Sequence, residues 1–95
     1  MLWSVTVQAA GERVLTHEEI VALADVVAVA RGVASGIGET AYGAQVVIEA
    51  SSRDEALELG VAFFTRAAAE AGLPAWPITT LSAVSEEEDD EEGLA

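Results

Sequence analysis

Ala44-Gln45-Val46-Val47-Ile48-Glu49-Ala50-Ser51-Ser52-Arg53-Asp54-Glu55 changes its period half-way along, and the change sets the fold class. Up to Ala50, inward Val46 and Ile48 alternate with outward Gln45 and Glu49, the two-residue repeat of a half-buried strand. From Ser52 the pattern becomes Ser-x-x-Glu: the serine hydroxyl can accept from the Glu55 amide while the carboxylate reaches back, so a helix starts. Along that helix Ala56, Gly60, Phe63, Ala67 and Ala71 fall near one face with Phe64 beside it, and Glu55, Glu58, Arg66 and Glu70 take the wetter side. Ala71-Gly72-Leu73-Pro74 ends it, because Gly72 can turn left-handed, Leu73 can fold back and Pro74 cannot continue a helix.

Outward toward the C-terminus, Trp76 to Val84 reads as a last strand, and Pro77 confines it to a sheet edge. Every residue from Glu86 to Glu92 is acidic, which predicts a disordered tail over 86–95 behind a single domain over 1–85. Outward toward the N-terminus, the glycine-rich stretch Val33–Gly43 reads as a short edge strand and a turn. Before it, Thr16-His17-Glu18-Glu19 is a second capping box, opening a helix whose core stripe is Ile20, Leu23, Ala24 and Val27. Val21, Val26 and Val29 leave the rest of that helix unusually apolar, and Gly32 is placed to close it in a left-handed conformation. Leu2 to Ala9 gives the first strand, with Trp3, Val5, Val7 and Ala9 alternating against Ser4, Thr6 and Gln8.

The resulting order, β-α-β-β-α-β, resembles the split βαβ arrangement of ferredoxin-like α+β domains: two helices on one face of a four-stranded antiparallel sheet. Right-handed crossovers then set the strand order as 4-1-3-2, with the glycine-broken second strand and the proline-bearing fourth at the edges. No motif points to a family within that fold, and a fold alone does not imply an activity.

Charge and composition restrict function more than the topology does. The 95 residues carry 17 acids against 4 arginines, a net charge of −13, with no lysine and no cysteine. Such a field repels phosphate backbones and anionic lipid, so neither direct nucleic-acid binding nor membrane binding is expected, whereas a basic protein partner is compatible with it. A cysteine-free chain has no disulfide or thiol chemistry and, at this size, stands on packing or on self-association, which makes a homodimer the expectation. The longest apolar stretch, Ile20–Ala30, is broken by Asp25 and too short for a bilayer, and no basic and apolar leader is recognisable, so the chain is expected to be cytoplasmic. Its alanine-rich, lysine-free vocabulary suggests a high-GC bacterium or one of its phages.

Residues suited to chemistry are few. His17 is the only histidine and sits in the first turn of a helix, where solvation explains it; Glu12, Glu18 and Glu19 are what capping and the helix dipole already require. Gly36-x-Gly38 lacks the Gly-Lys-Ser/Thr ending of a phosphate loop. No catalytic, cofactor or metal set is expected. Trp3 is read as a core anchor. The interaction candidates are Trp76, in a rigid proline-flanked loop; Tyr42, beside the glycine turn; Val21 and Val29 on the first helix; and Glu86, Glu87, Glu88, Asp89 and Asp90 in the acidic run. The sequence therefore points to a non-catalytic interaction or regulatory module, dimerising through the uncovered sheet face or the valine-rich side of the first helix. Alternatives are an amino-acid-type ligand sensor using the Gly11 turn, a carboxylate-based enzyme, and an acidic nucleic-acid mimic.

Overall fold

Strands β1 (Leu2–Ala10) and β3 (Ala41–Glu49) pair antiparallel without a break, from Leu2 opposite Glu49 to Ala10 opposite Ala41. This ladder is the middle of the sheet in the computed structural model, which describes residues 1–85. Strand β4 (Ile78–Ser85) flanks β1 and strand β2 (Val33–Ser35) flanks β3, both antiparallel, so the sheet runs β2-β3-β1-β4. That is the expected 4-1-3-2 order read from the other side. Helix α1 (His17–Val27) packs over β2 and β3, and helix α2 (Arg53–Glu70) over β1, β3 and β4. The architecture is an α+β, ferredoxin-like β-α-β-β-α-β fold. The acidic run Glu86–Glu92, and with it the expected tail, lies outside the described residues.

Alternation places the core. Trp3, Val5, Val7 and Ala9 point from β1 into the helix layer, where they meet Ala44 and Val46 of β3, Ile20, Leu23 and Val27 of α1, and Ala56, Phe64, Ala67 and Ala68 of α2. Trp3 is buried with its indole N–H donating to the Ala50 carbonyl at 3.1 Å, as befits an aromatic ring whose polar edge has left water.

Both helices start where the Ser/Thr-x-x-Glu spacing predicts. At α1 the box closes in both directions: Thr16 Oγ1 accepts from the Glu19 amide at 3.2 Å and Glu19 Oε1 accepts from the Thr16 amide at 3.0 Å. At α2 only half of it forms. Ser52 Oγ accepts from the Glu55 amide, while the Glu55 carboxylate takes the hydroxyl of Ser51 instead.

Three local expectations are corrected. Strand β3 begins at Ala41 rather than Ala44, because the turn ends sooner and Tyr42 is drawn into the core. The face that α2 buries is Ala56, Gly60, Phe64, Ala67 and Ala68, so Phe64 is the core ring and Phe63 only partly covered. The left-handed residue after α1 is Arg31 (φ 53°, ψ 38°), not Gly32, because α1 tightens into a 3-10 turn over Ala28–Ala30 and reaches its reversal one residue early. Gly32 is needed for a different reason: a Cβ there would meet the Val27 carbonyl oxygen at 2.6 Å.

Candidate functional site

The loop that leaves α2 is tied down by backbone and ring contacts and forms one wall of a cleft. Gly72 adopts φ 78° and its amide donates to Ala69, the Leu73 amide donates to Ala68, and Leu73 folds back into the core. The Pro74 carbonyl then accepts the Tyr42 hydroxyl at 2.6 Å, fixing the loop to β3 from beneath. Trp76 lies over Gly11, its indole occupying the space that any Gly11 side chain would need. Tyr42 joins the group as a wedge, its ring centroid 5.5 Å from Phe64 at an interplanar angle of 20° and 5.8 Å from Trp76 at 43°. Burial pushes the Tyr42 phenol above its ordinary range, and the Trp76 backbone offsets part of that.

Between this loop, the end of α2 and the start of β4 lies a cleft of about 170 Å³, walled mainly by Tyr42, Phe64, Ala68, Leu73, Trp76 and Ile78. Among the described residues no carboxylate, imidazole or guanidinium lines it, and the Tyr42 hydroxyl is already engaged. Its chemistry suits one apolar side chain. No family model, curated protein or solved structure matches the chain. The geometry is therefore the only guide to what this site does.

Of the expected interaction residues, the fold brings Trp76 and Tyr42 together and leaves the valines elsewhere. Tyr42 is 2% exposed, so it shapes the cleft from inside and offers a partner little surface of its own. Val21 and Val29 lie on the α1 half of the molecule, at 41% and 83% exposure; Val29 borders a shallow groove with Asp25, Phe63, Arg66 and Glu70. Glu86, Glu87, Glu88, Asp89 and Asp90 lie outside the described residues. Trp3 and Trp76, at the starts of neighbouring strands, sit at opposite ends of the sheet because those strands are antiparallel.

Of the expected first-turn acids, Glu19 is held by structural partners. Arg13 grips Glu19 with two hydrogen bonds, Nη1 to Oε1 at 2.8 Å and Nη2 to Oε2 at 2.7 Å. Those bonds, with the Thr16 amide, hold the Glu19 carboxyl at about 2, well below the usual carboxylate value. A general acid needs the opposite shift. His17 and Glu18 are exposed beside it, and among the described residues no group of three or more His, Cys, Asp or Glu side chains is placed to hold a metal ion. The Gly11 turn, which motivated a ligand-sensor reading, is explained by the indole that covers it.

A second surface emerges only once the strand order is known. The register turns Ser4, Thr6 and Gln8 of β1, Gln45, Val47 and Glu49 of β3, Val33 and Ser35 of β2, and Thr80, Ser82 and Val84 of β4 away from the helices. Among the strand residues on this open face only Glu49 is charged. Gln45 Nε2 donates to Ser4 Oγ at 3.2 Å across its centre.

Proposed function

We propose that this chain is a small, non-catalytic, cytoplasmic interaction module that works as a homodimer, with the open face of the sheet as the seam. The observation that carries the reading is the distribution of charge. In a chain of net charge −13, Glu12, Glu18, Asp25, Glu39, Asp54, Glu58 and Glu70 lie on loops and helices, while the open sheet face presents mainly short hydroxyl, amide and valine side chains, with Glu49 at the end of β3 its one acid among the described strand residues. Such a face suits sheet-on-sheet packing at a spacing of about 10 Å.

Acids directed away from a seam repel weakly, since ions screen charges over about 8 Å at physiological salt. Three strands of eight or nine residues and a fourth of three, set about 4.8 Å apart, offer a footprint of roughly 500 Å² per copy, the lower end of specific interfaces and consistent with micromolar association. The valine-rich side of α1 is the weaker candidate, because Val21 and Val29 are separated by exposed Asp25.

Sedimentation of the wild type and of Thr6→Glu tests this. Thr6 sits mid-face between Gln45 and Ser82, so its replacement places a carboxylate at the centre of the seam without touching the core. The wild type dimerises at tens of micromolar, on the order expected for so small an interface, and the variant stays monomeric with its fold intact. A wild type that remains monomeric at high micromolar concentration refutes the dimer.

A further inference from the structure

The cleft beside Trp76 is a pit rather than a surface groove, and neither the core nor the proposed seam uses it. Helix α2, the loop after it and the start of β4 each supply a wall, and β3 supplies part of the floor through Tyr42. Depth follows from burial: Tyr42, Phe64 and Leu73 are buried, whereas Thr65, Ala69 and Ile78 are exposed and form the mouth. The walls are fixed before anything enters. The Gly72 turn seats Leu73, the Pro74 carbonyl holds the Tyr42 hydroxyl at 2.6 Å, and Trp76 rests on Gly11, where no side chain intervenes. A preformed site spares a ligand the cost of ordering it.

Size, shape and polarity then select the occupant. The pit measures about 170 Å³, and apolar protein cavities of about 150 Å³ take benzene. Three of its lining side chains are rings: Tyr42 and Phe64 lie 5.5 Å apart and nearly parallel at 20°, and Trp76 is tilted at 43° to Tyr42. A flat ring entering among them can take the offset and edge-on contacts that aromatic pairs prefer. Among the described residues no charged side chain lines the pit and no buried side-chain nitrogen or oxygen lacks a partner, so a charged ligand would lose water there with nothing to replace it. The geometry points to a binding site for a small uncharged aromatic molecule of one or two fused rings, entering edge first past Ile78 and carrying at most one hydroxyl or N–H, which the Thr65 hydroxyl at the mouth can meet.

A phenyl group borne by a protein partner has the same chemistry, but the surroundings favour a free molecule. Glu70 follows Ala69 at the mouth, and Glu12 and Arg13 share the adjoining groove with Trp76, so on two sides the apolar area ends at the pit and gives a docked protein no apolar margin to extend over. A free amino acid binds less well, because its ammonium and carboxylate would lose hydration at an uncharged mouth with no ion to pair them. Pit and open sheet face are different surfaces, so this inference and the dimer seam fail independently.

The test titrates full-length isotope-labelled protein with toluene, phenol and indole, and uses free phenylalanine and the capped tripeptide acetyl-Gly-Phe-Gly-amide as the arms that separate a free ring from one borne by a chain. Expected are saturable NMR shifts confined to Tyr42, the end of α2 and the loop up to Ile78, with nuclear Overhauser contacts from toluene to the Leu73 and Ile78 methyl groups. Dissociation constants fall at about 0.1–1 mM, the range open to ligands this small, and phenylalanine and the tripeptide bind about tenfold more weakly or worse. Ala69→Leu, which narrows the mouth from an exposed helical position with a good helix former, weakens toluene and indole about tenfold while the rest of the spectrum is unchanged. The Thr6→Glu variant binds as the wild type does. No saturable shift with any of the three rings at about 5 mM, toluene contacts elsewhere than in the pit, unchanged affinity in Ala69→Leu, or a tripeptide that binds as tightly as toluene, which would assign the pit to a protein side chain, each overturns the proposal.

Discussion

Replacing Gly60 with alanine sets two effects of known sign against each other. In a helix interior alanine is favoured over glycine by about 1 kcal/mol, so propensity alone predicts a more stable protein. Gly60, however, is where α2 lies closest to β1: a Cβ built on it would stand 2.5 Å from Val5 Cγ1 and 3.2 Å from Val5 Cβ. Carbon atoms in contact prefer about 3.5–4.0 Å, so something must move by roughly 1 Å. Val5 is fully buried and β-branched, which leaves it few rotamers to escape into. Overpacking of this kind costs about 1–3 kcal/mol, and after the propensity gain a net loss of about 1 kcal/mol is expected, some 4–8 °C in Tm for a domain this size. Val5→Ala alone loses about 2 kcal/mol, through the methyl groups withdrawn and the cavity left behind. In the double variant the alanine methyl at position 60 enters that space, and a favourable coupling of about 1–2 kcal/mol follows. Urea unfolding followed by tryptophan fluorescence measures all four corners of the cycle. A Gly60→Ala protein stabilised by the full propensity gain, with no coupling to Val5, would refute the close approach of α2 to β1.

Two further predictions concern the ends of elements. Glu19 titrates at about 2 in the folded chain against an ordinary 4.5, so the stability its bonds to Arg13 and Thr16 supply is complete above about 4.5 and drains away as pH falls toward 2. Carboxyl titration by NMR, with urea midpoints from pH 5 to 2, checks this: Glu19→Gln flattens that part of the pH dependence, and a Glu19 titrating at its ordinary value contradicts it. Tyr42→Phe keeps the ring against Phe64 and Trp76 but removes the 2.6 Å bond to Pro74, a loss of about 1 kcal/mol with a change in Trp76 fluorescence as the loop loosens; unchanged stability and emission would contradict the tie.

Much of the architecture was legible because local signals and topology agree. The capping spacings at Thr16 and Ser52 start both helices where they begin, and the alternation of Leu2–Ala9 and Ala44–Ala50 marks the two central strands. Finer features depended on distant contacts. A helix whose candidate rings are adjacent leaves its rotation ambiguous by about 100°, and it is the joint burial of Ala56, Phe64, Ala67 and Ala68 against the sheet that selects Phe64 over Phe63. The left-handed residue moved to Arg31 because α1 tightened into a 3-10 turn, which no residue type announces.

The site was legible in part. Trp76 stood out by its proline-flanked loop, yet its seat on Gly11 joins residues far apart in the chain with no periodicity to link them. Gly11 itself was ambiguous, since a tight turn and a landing place for an indole both call for a missing side chain. Tyr42, beside the glycine turn in the sequence, became a core residue when β3 began three residues earlier. The open face, with Glu49 its one charged strand residue among those described, needed no new signal beyond the strand alternation, but it becomes one surface only when four strands are set in order.

Isotope-filtered NMR on an equal mixture of labelled and unlabelled protein examines the seam atom by atom. Contacts between copies at the Val47 and Val84 methyl groups, with none at Val21 or Val29, are what a sheet-face dimer produces. Contacts confined to the α1 valines, or none at all at a concentration where sedimentation shows a dimer, would contradict it.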